Sequence, residues 1–379
     1  MWRSGRRVDW LIAALVAGCC LAGSWAMSLA VRLPAPDEFN VARWELEHIP
    51  NKWLYLTGRL FDGRLSTREE DERLARYLEL TARGRDVDAD RQRLENDVEA
   101  IIEGRLTAVL EDAGLTSSLP LFPDARWVFP PVDVELDEPP PVLAISRRDR
   151  IEIVDRRALR PGLSLAAIIA KEQAVERDGE LSALVEQIAG AATYPSVVAP
   201  DGDYLDLVET IAHEWVHQYL YFKPLGVRVV ESEELRTLNE TVANIAGRDL
   251  AVLVVARFPL PAGAASTPGP VPSIDAGAVL RQLRLDVGEL LGQGDIDEAE
   301  RLMDERRREL AARGVVYRRI NQAFFAFRSV YADDPASIDP IGEQVQTLRE
   351  REGSVGAFLR AAEGLTSAEE LDELLARVP

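Results

Sequence analysis

The chain has 379 residues, 47% hydrophobic and 28% charged, with a formal net charge of −20 and a pI near 4.7. That is apolar enough to bury the core of one large or two ordinary domains, which excludes a disordered chain, and too acidic for a phosphate-binding surface, so no nucleic-acid partner is expected. Both cysteines, Cys19 and Cys20, fall in an N-terminal apolar run; the rest can build neither a disulfide framework nor a thiolate metal site, and any metal there must use His, Asp or Glu.

Arg3, Arg6 and Arg7 precede an uncharged run from Trp10 to Val31. The run exceeds the roughly 7–15 residues of a signal-peptide core and can span a bilayer at ~1.5 Å per residue. Residues 1–32 are therefore expected to form a single-pass transmembrane anchor with the main body extracytoplasmic, because the positive flank stays inside. The alternatives are a cleaved signal, giving a secreted protein, with small residues between Ala22 and Ala30, and a lipoprotein, from Val16-Ala17-Gly18-Cys19.

Residues 33–125 read as a helical N-terminal region. Ser66 or Thr67 with Glu69 and Glu70 marks a helix start, Leu74, Tyr77, Leu78 and Leu80 recur at helical spacing, and a second helix is predicted over Asp88 to Asp112. Residues 126–257 form the predicted core domain. Proline clusters at Pro130-Pro131 and Pro139 to Pro141 separate short strands in VDVEL, PVLAIS and RIEIVD; helices are expected around Leu163 to Glu176 and Glu180 to Ala189. Tyr194 to Val198 reads as a strand, placed at a sheet edge because Pro195 has no N–H to donate. Residues 258–273 are a Pro/Gly-rich linker, and 274–379 a helical C-terminal lobe that includes INQAFFAFRSVY as a helix.

Two of the chain's three histidines stand in ETIAHEWVHQYLYF, Glu209 to Phe222. Asp203 is a suitable N-cap, Pro224 and Gly226 mark the end, and Leu207, Val208, Ile211, Ala212, Trp215, Val216, Tyr219 and Leu220 form one apolar face. His213, Glu214, His217 and Gln218 fall on the other side. A spacing of four puts the imidazoles of His213 and His217 one above the other, able to reach one Zn²⁺ ion, while Glu214 can take a proton from water there. The competing explanation is a polar helix face that matches by chance, and it provides no third ligand. Ser232 caps a further helix, expected to run to about Ala256 with Leu235, Leu238, Val242, Ile245 and Leu253 inward and Glu240 on a different face, with the charge to complete a His, His, Glu site.

HEWVH and LNETVA together resemble the gluzincin metallopeptidases: HEWVH matches their HExxH motif, and LNETVA, Leu238 to Ala243, is similar to the segment carrying their glutamate ligand. His217-Gln218 with Tyr221 also resembles a group of bacterial membrane-associated aminopeptidase-like proteins. The resemblance covers about Tyr194 to Asp249. It implies an α+β, mostly helical, thermolysin/aminopeptidase-like two-lobed zincin domain with a small sheet. It also implies zinc on His213, His217 and Glu240, Glu214 as general base, and a peptide or protein substrate aligned along Tyr194, Ser196 and Val197. Glu240 follows His217 by 23 positions, further than is typical for the family, and Asn244 stands where many members carry the aspartate that orients a zinc histidine. No counterpart of the family's acidic amine-gripping element is visible, so aminopeptidase and endopeptidase activity are not separated. Oxyanion stabilisation needs a further donor, for which Tyr331 is the candidate, with Tyr317, Tyr194 and Arg328 as rivals. The expected activity is zinc-dependent peptide hydrolysis by a membrane-anchored protein; the alternative is a non-catalytic scaffold with a structural zinc, or with none.

Overall fold

The computed structural model describes residues 37–45, 65–84, 88–119, 122–261 and 274–377, with side chains undescribed at 88, 119 and 122–125. Its elements in chain order are α1 Thr67–Arg83, α2 Asp88–Asp112, β1 Ser117–Leu119, β2 Phe122–Trp127, β3 Val134–Leu136, β4 Val142–Arg147, β5 Ile153–Ala158, α3 Leu165–Glu176, β6 Leu181–Glu186, β7 Gly190–Ala191 and β8 Ser196–Val198. Then come α4 Tyr204–Leu220, α5 Pro224–Val227, α6 Glu233–Arg257, α7 Ala276–Gln293, α8 Ile296–Ala312, α9 Gln322–Arg328, α10 Ile341–Arg351, α11 Val355–Ala362 and α12 Ala368–Ala376.

The expected fold class is corrected. The chain is mostly helical, but it carries three separate small sheets, β1-β2, β3-β8-β7 and β5-β4-β6, instead of one. No helix among the described residues is long and apolar enough to cross a membrane, so the transmembrane element of that expectation is not supported; its segment, 1–32, lies outside the described residues.

The chain divides into two compact units, each discontinuous in sequence. The first comprises Met1–Pro139, Ala189–Tyr219 and Ala246–Ser266. Its α1 begins with a capping box in which Ser66 and Glu69 satisfy each other's backbone N–H groups. The apolar side of α1, Leu74, Tyr77, Leu78 and Leu80, is buried, as are Val98, Ile101, Ile102, Leu106 and Val109 of α2. Arg105 of α2 is 3% exposed; it pairs with Asp71 of α1, donates to the Tyr204 hydroxyl at 3.1 Å and lies over the Phe258 ring. In the sheet, β8 pairs in parallel with β3 and antiparallel with β7. The outer side of β3 is closed by α2, whose Glu99 and Glu103 carboxylates accept the Leu136 and Val134 N–H groups at 2.8 and 3.0 Å. That leaves β7 as the outer strand on the opposite side.

The second unit comprises Pro140–Ile188, Leu220–Ile245 and Thr267–Pro379. Its sheet has β4 between β5 and β6, both antiparallel. The predicted helix over Glu180 to Ala189 is instead β6, and its burial explains why. Ala183 and Val185 pack into one apolar cluster with Leu143, Ile145 and Ile168, while Leu184 packs into another with Leu283, Val287, Met303 and Phe324. A strand buried on both faces loses its polar alternation, and a short apolar run then resembles a helix segment. Buried Glu172 of α3 ties this layer together, accepting the Val185 N–H at 2.7 Å and two hydrogen bonds from Arg318.

Arg105 supplies a stability test. Arg105→Ala leaves Asp71 without its partner and the buried Tyr204 hydroxyl without a donor. Asp71 keeps 24% exposure, so the expected loss is about 2–3 kcal/mol, below that of a fully buried pair. Urea unfolding should show it, with part of the loss recovered in Arg105→Met, which keeps the packing.

Candidate metal centre

The centre is built on α4, whose N-terminus is set by Asp203: its Oδ1 accepts the Leu205 and Asp206 N–H groups at 2.8 and 3.3 Å. The expected apolar face is buried throughout, and Trp215, stacked on Tyr219, donates its indole N–H to the Pro130 carbonyl at 2.9 Å. This anchoring fixes the rotation of the helix and hence where the polar side points.

That side does not face solvent. Glu214 is 5% and Gln218 8% exposed. Gln218 Nε2 donates to the Thr193 carbonyl and, at 2.8 Å, to the Ser196 hydroxyl, tying α4 to the segment that joins β7 and β8. Glu214 lies against β7: a Cβ at Gly190 would stand 2.5 Å from Glu214 Oε1 and 2.8 Å from its Cγ, so only glycine lets the carboxylate sit there. A polar helix face that matched HExxH by accident would ordinarily face water, and a buried carboxylate carries a desolvation penalty that a functional group can justify.

His213 and His217 are half-buried, and their Nε2 atoms face each other at 2.9 Å with the rings edge-on. At that separation one nitrogen must donate a proton to the other, or both must share a cation. Two nitrogens at 2.0–2.1 Å from a tetrahedral zinc lie about 3.3 Å apart, so the pair needs to open by only about 0.4 Å. Ligand atoms of His213, Glu214 and His217 lie within 4.8 Å of one another, and these residues form the group able to hold a metal ion. The donor set fits zinc.

Comparison with protein-family models, curated proteins and solved structures returned no match. The chemistry therefore rests on the residues themselves.

Glu240 and Asn244 lie on α6, outside that group. On the same helix Gly247 meets the start of the histidine motif closely, since a Cβ there would stand 2.9 Å from the His213 backbone nitrogen. Positions 240, 244 and 247 follow the i, i+4, i+7 pattern of one helix face. Asn244 donates from Nδ2 to Asp333 Oδ1 at 2.9 Å, and Thr241 accepts the Ala332 N–H at 3.3 Å, so the Tyr331–Asp333 segment is stitched to α6 beside Glu240 in sequence. Among the rivals of Tyr331, Tyr317 stacks edge-on against Phe324 beneath the Arg328 guanidinium, and burial raises its hydroxyl above the usual range. Arg328 is engaged by Asp334 at 3.0 Å.

The expected edge placement of Tyr194 to Val198 is corrected. Tyr194 precedes β8, its N–H donating to Glu45 at 3.3 Å, while Ser196 and Val197 lie in β8 with ladder partners on both sides. The outer strand beside Glu214 is Gly190–Ala191. Pattern reading missed Gly190, Gly247 and Asp333. A Gly-Ala pair too short to alternate and contacts spanning dozens of residues leave no local trace.

Equilibrium dialysis against zinc is expected to load about one ion per chain, with most of the affinity lost in His213→Ala and in His217→Ala. Equal loading of wild type and the double variant would remove this pair as a metal centre.

Proposed function

We propose that the chain is a zinc-dependent peptidase of gluzincin type, with His213, His217 and Glu240 as ligands and Glu214 as the general base. The observation that carries this proposal is the buried Glu214 carboxylate against Gly190, next to the facing Nε2 atoms of the two histidines. A purely structural zinc has no use for a desolvated base at that position. Glu240 is included on the strength of LNETVA and of the helix face it shares with Gly247.

When bound, zinc supplies Lewis acidity towards water and a peptide carbonyl. The chain's own residues do the rest. Glu214 takes the proton of the attacking water and returns it to the leaving nitrogen as the C–N bond breaks. The backbone of Gly190–Ala191, the outer strand of its sheet, offers an extended peptide a pairing partner beside that base. Asn244 is oriented by Asp333: with Nδ2 committed there, the amide oxygen is turned the other way, as an acceptor for an imidazole N–H requires. Tyr331 remains the candidate donor to the developing oxyanion.

Glu214→Gln is expected to retain zinc and to lower hydrolysis of a fluorogenic peptide library by about 10²–10⁴-fold. Glu240→Ala is expected to lose zinc. Full zinc loading with no hydrolysis by the wild type, or undiminished hydrolysis in Glu214→Gln, would sink the proposal. Gly190→Ala probes the same base from the strand side. Its Cβ must displace the carboxylate, so kcat should fall while zinc stoichiometry stays at the wild-type level.

A further inference from the structure

Arginine is abundant in the second unit, and nearly every arginine on its cavity walls is engaged. Arg148 is held by Glu300, Arg319 by Glu176 and Arg307 by Asp304. Arg284 of α7 is different: partly buried, it makes no hydrogen bond and no ion pair among the described residues. Its guanidinium lies along the helix over Gly288, where a Cβ would come 3.2 Å from Nη1. Burial, with no compensating partner, lowers its pKa from the ordinary arginine value. An arginine stays charged in a protein, so a partly desolvated guanidinium without a protein acceptor is open to an anion from outside.

Arg284 stands between two cavities: on its Gly288 side one of about 330 Å³ that Asp149 and Arg150 also line, and on the other one of about 320 Å³, within the size range of small-molecule sites, lined by Phe324 and Phe325. Arg328 stands on the same wall, and its buried Nε also lacks an acceptor. Two acids line this second cavity, and both are already used. Asp334 accepts from Arg328 and from the Ala336 N–H at 3.0 and 2.7 Å, and Asp339 accepts the Ile341 N–H at 2.9 Å. Asp334 has both oxygens committed and Asp339 one, and neither pairs with Arg284. We infer that this cavity binds a small monocarboxylate with an apolar body, its carboxylate on Arg284 and its body on Phe324 and Phe325. A planar guanidinium presents paired donors that match a carboxylate. A phosphate dianion would need a second uncommitted cation, and the charge of Arg328 is already matched by Asp334. The aromatic floor rewards an organic body over an inorganic ion. This site is independent of the zinc proposal and uses none of its residues.

Isothermal titration of the full chain with phenylacetate tests it, beside phenylacetamide and inorganic phosphate, and beside Arg284→Met. Saturable one-site binding of phenylacetate is expected, weakened by about tenfold or more in the amide, in phosphate and in the variant. Because the substitution removes an uncompensated cation, the unfolding temperature of Arg284→Met should stay level or rise. N-acetyl-glycyl-phenylalanine and its amide separate the sources. Binding of the acid form assigns peptide C-termini, and its failure beside bound phenylacetate assigns free acids; both support the carboxylate site. Equal binding of phenylacetamide, tighter binding of phosphate, no binding of phenylacetate, unchanged binding by Arg284→Met, or a steep fall in that variant's unfolding temperature would each overturn it.

Discussion

The placement of one carboxylate constrains much of the first unit. Glu214 can be buried beside a histidine pair only if the strand it faces has no side chain at that point, and Gly190 meets that demand with no room to spare. A two-residue strand is not stable alone. Here β7 is held by β8, β8 by β3, and β3 by carboxylates of α2, so the support runs inward from a long helix to the strand that meets Glu214. The other side of α4 closes the arrangement through Trp215 and Pro130 and through Gln218 and the Thr193–Ser196 segment. Each contact limits helix rotation, and rotation decides whether His213 and His217 face each other.

Helix α4 is consequently buried on sides that its polar residues would ordinarily leave wet. Glu214 and Gln218 are sequestered along with the apolar face, while the two imidazoles keep partial exposure. In the second unit, salt bridges such as Arg301 with Glu298 or Arg308 with Asp304 sit on exposed helix faces and add little to stability.

What could be read from sequence follows the range of the interaction concerned. Caps are local, and Ser66, Asp203 and Ser232 each accept the N–H groups expected of them. The apolar face of α4 has strict helical spacing and is buried residue for residue. The histidine pair was legible for the same reason, since one helical turn fixes it. Errors arise where burial is two-sided or partners are remote. Strand β6 lost its alternation between two apolar clusters; β8 became central because β7, with no recognisable pattern, lies outside it. The inward stripe of α6 was misassigned at Leu253, which is 44% exposed, while Leu250 and Val254 are buried. The helix is covered over several sides at once, which a single stripe cannot describe.

The asparagine at position 244 shows how a side chain's orientation can be set from a distance. An aspartate there would bring a negative charge and two equivalent acceptor oxygens, free to turn either one toward a neighbour. An amide has one acceptor and one donor, so its usefulness depends on which end is held. Asp333, 89 residues away, takes the donor end at 2.9 Å and leaves the orientation of the oxygen determined. The same short segment is fastened a second time by the Ala332 N–H on Thr241. The double attachment makes the Tyr331–Asp333 loop part of the α6 surface near Asn244. Asn244 and that loop are therefore joined as one structural element.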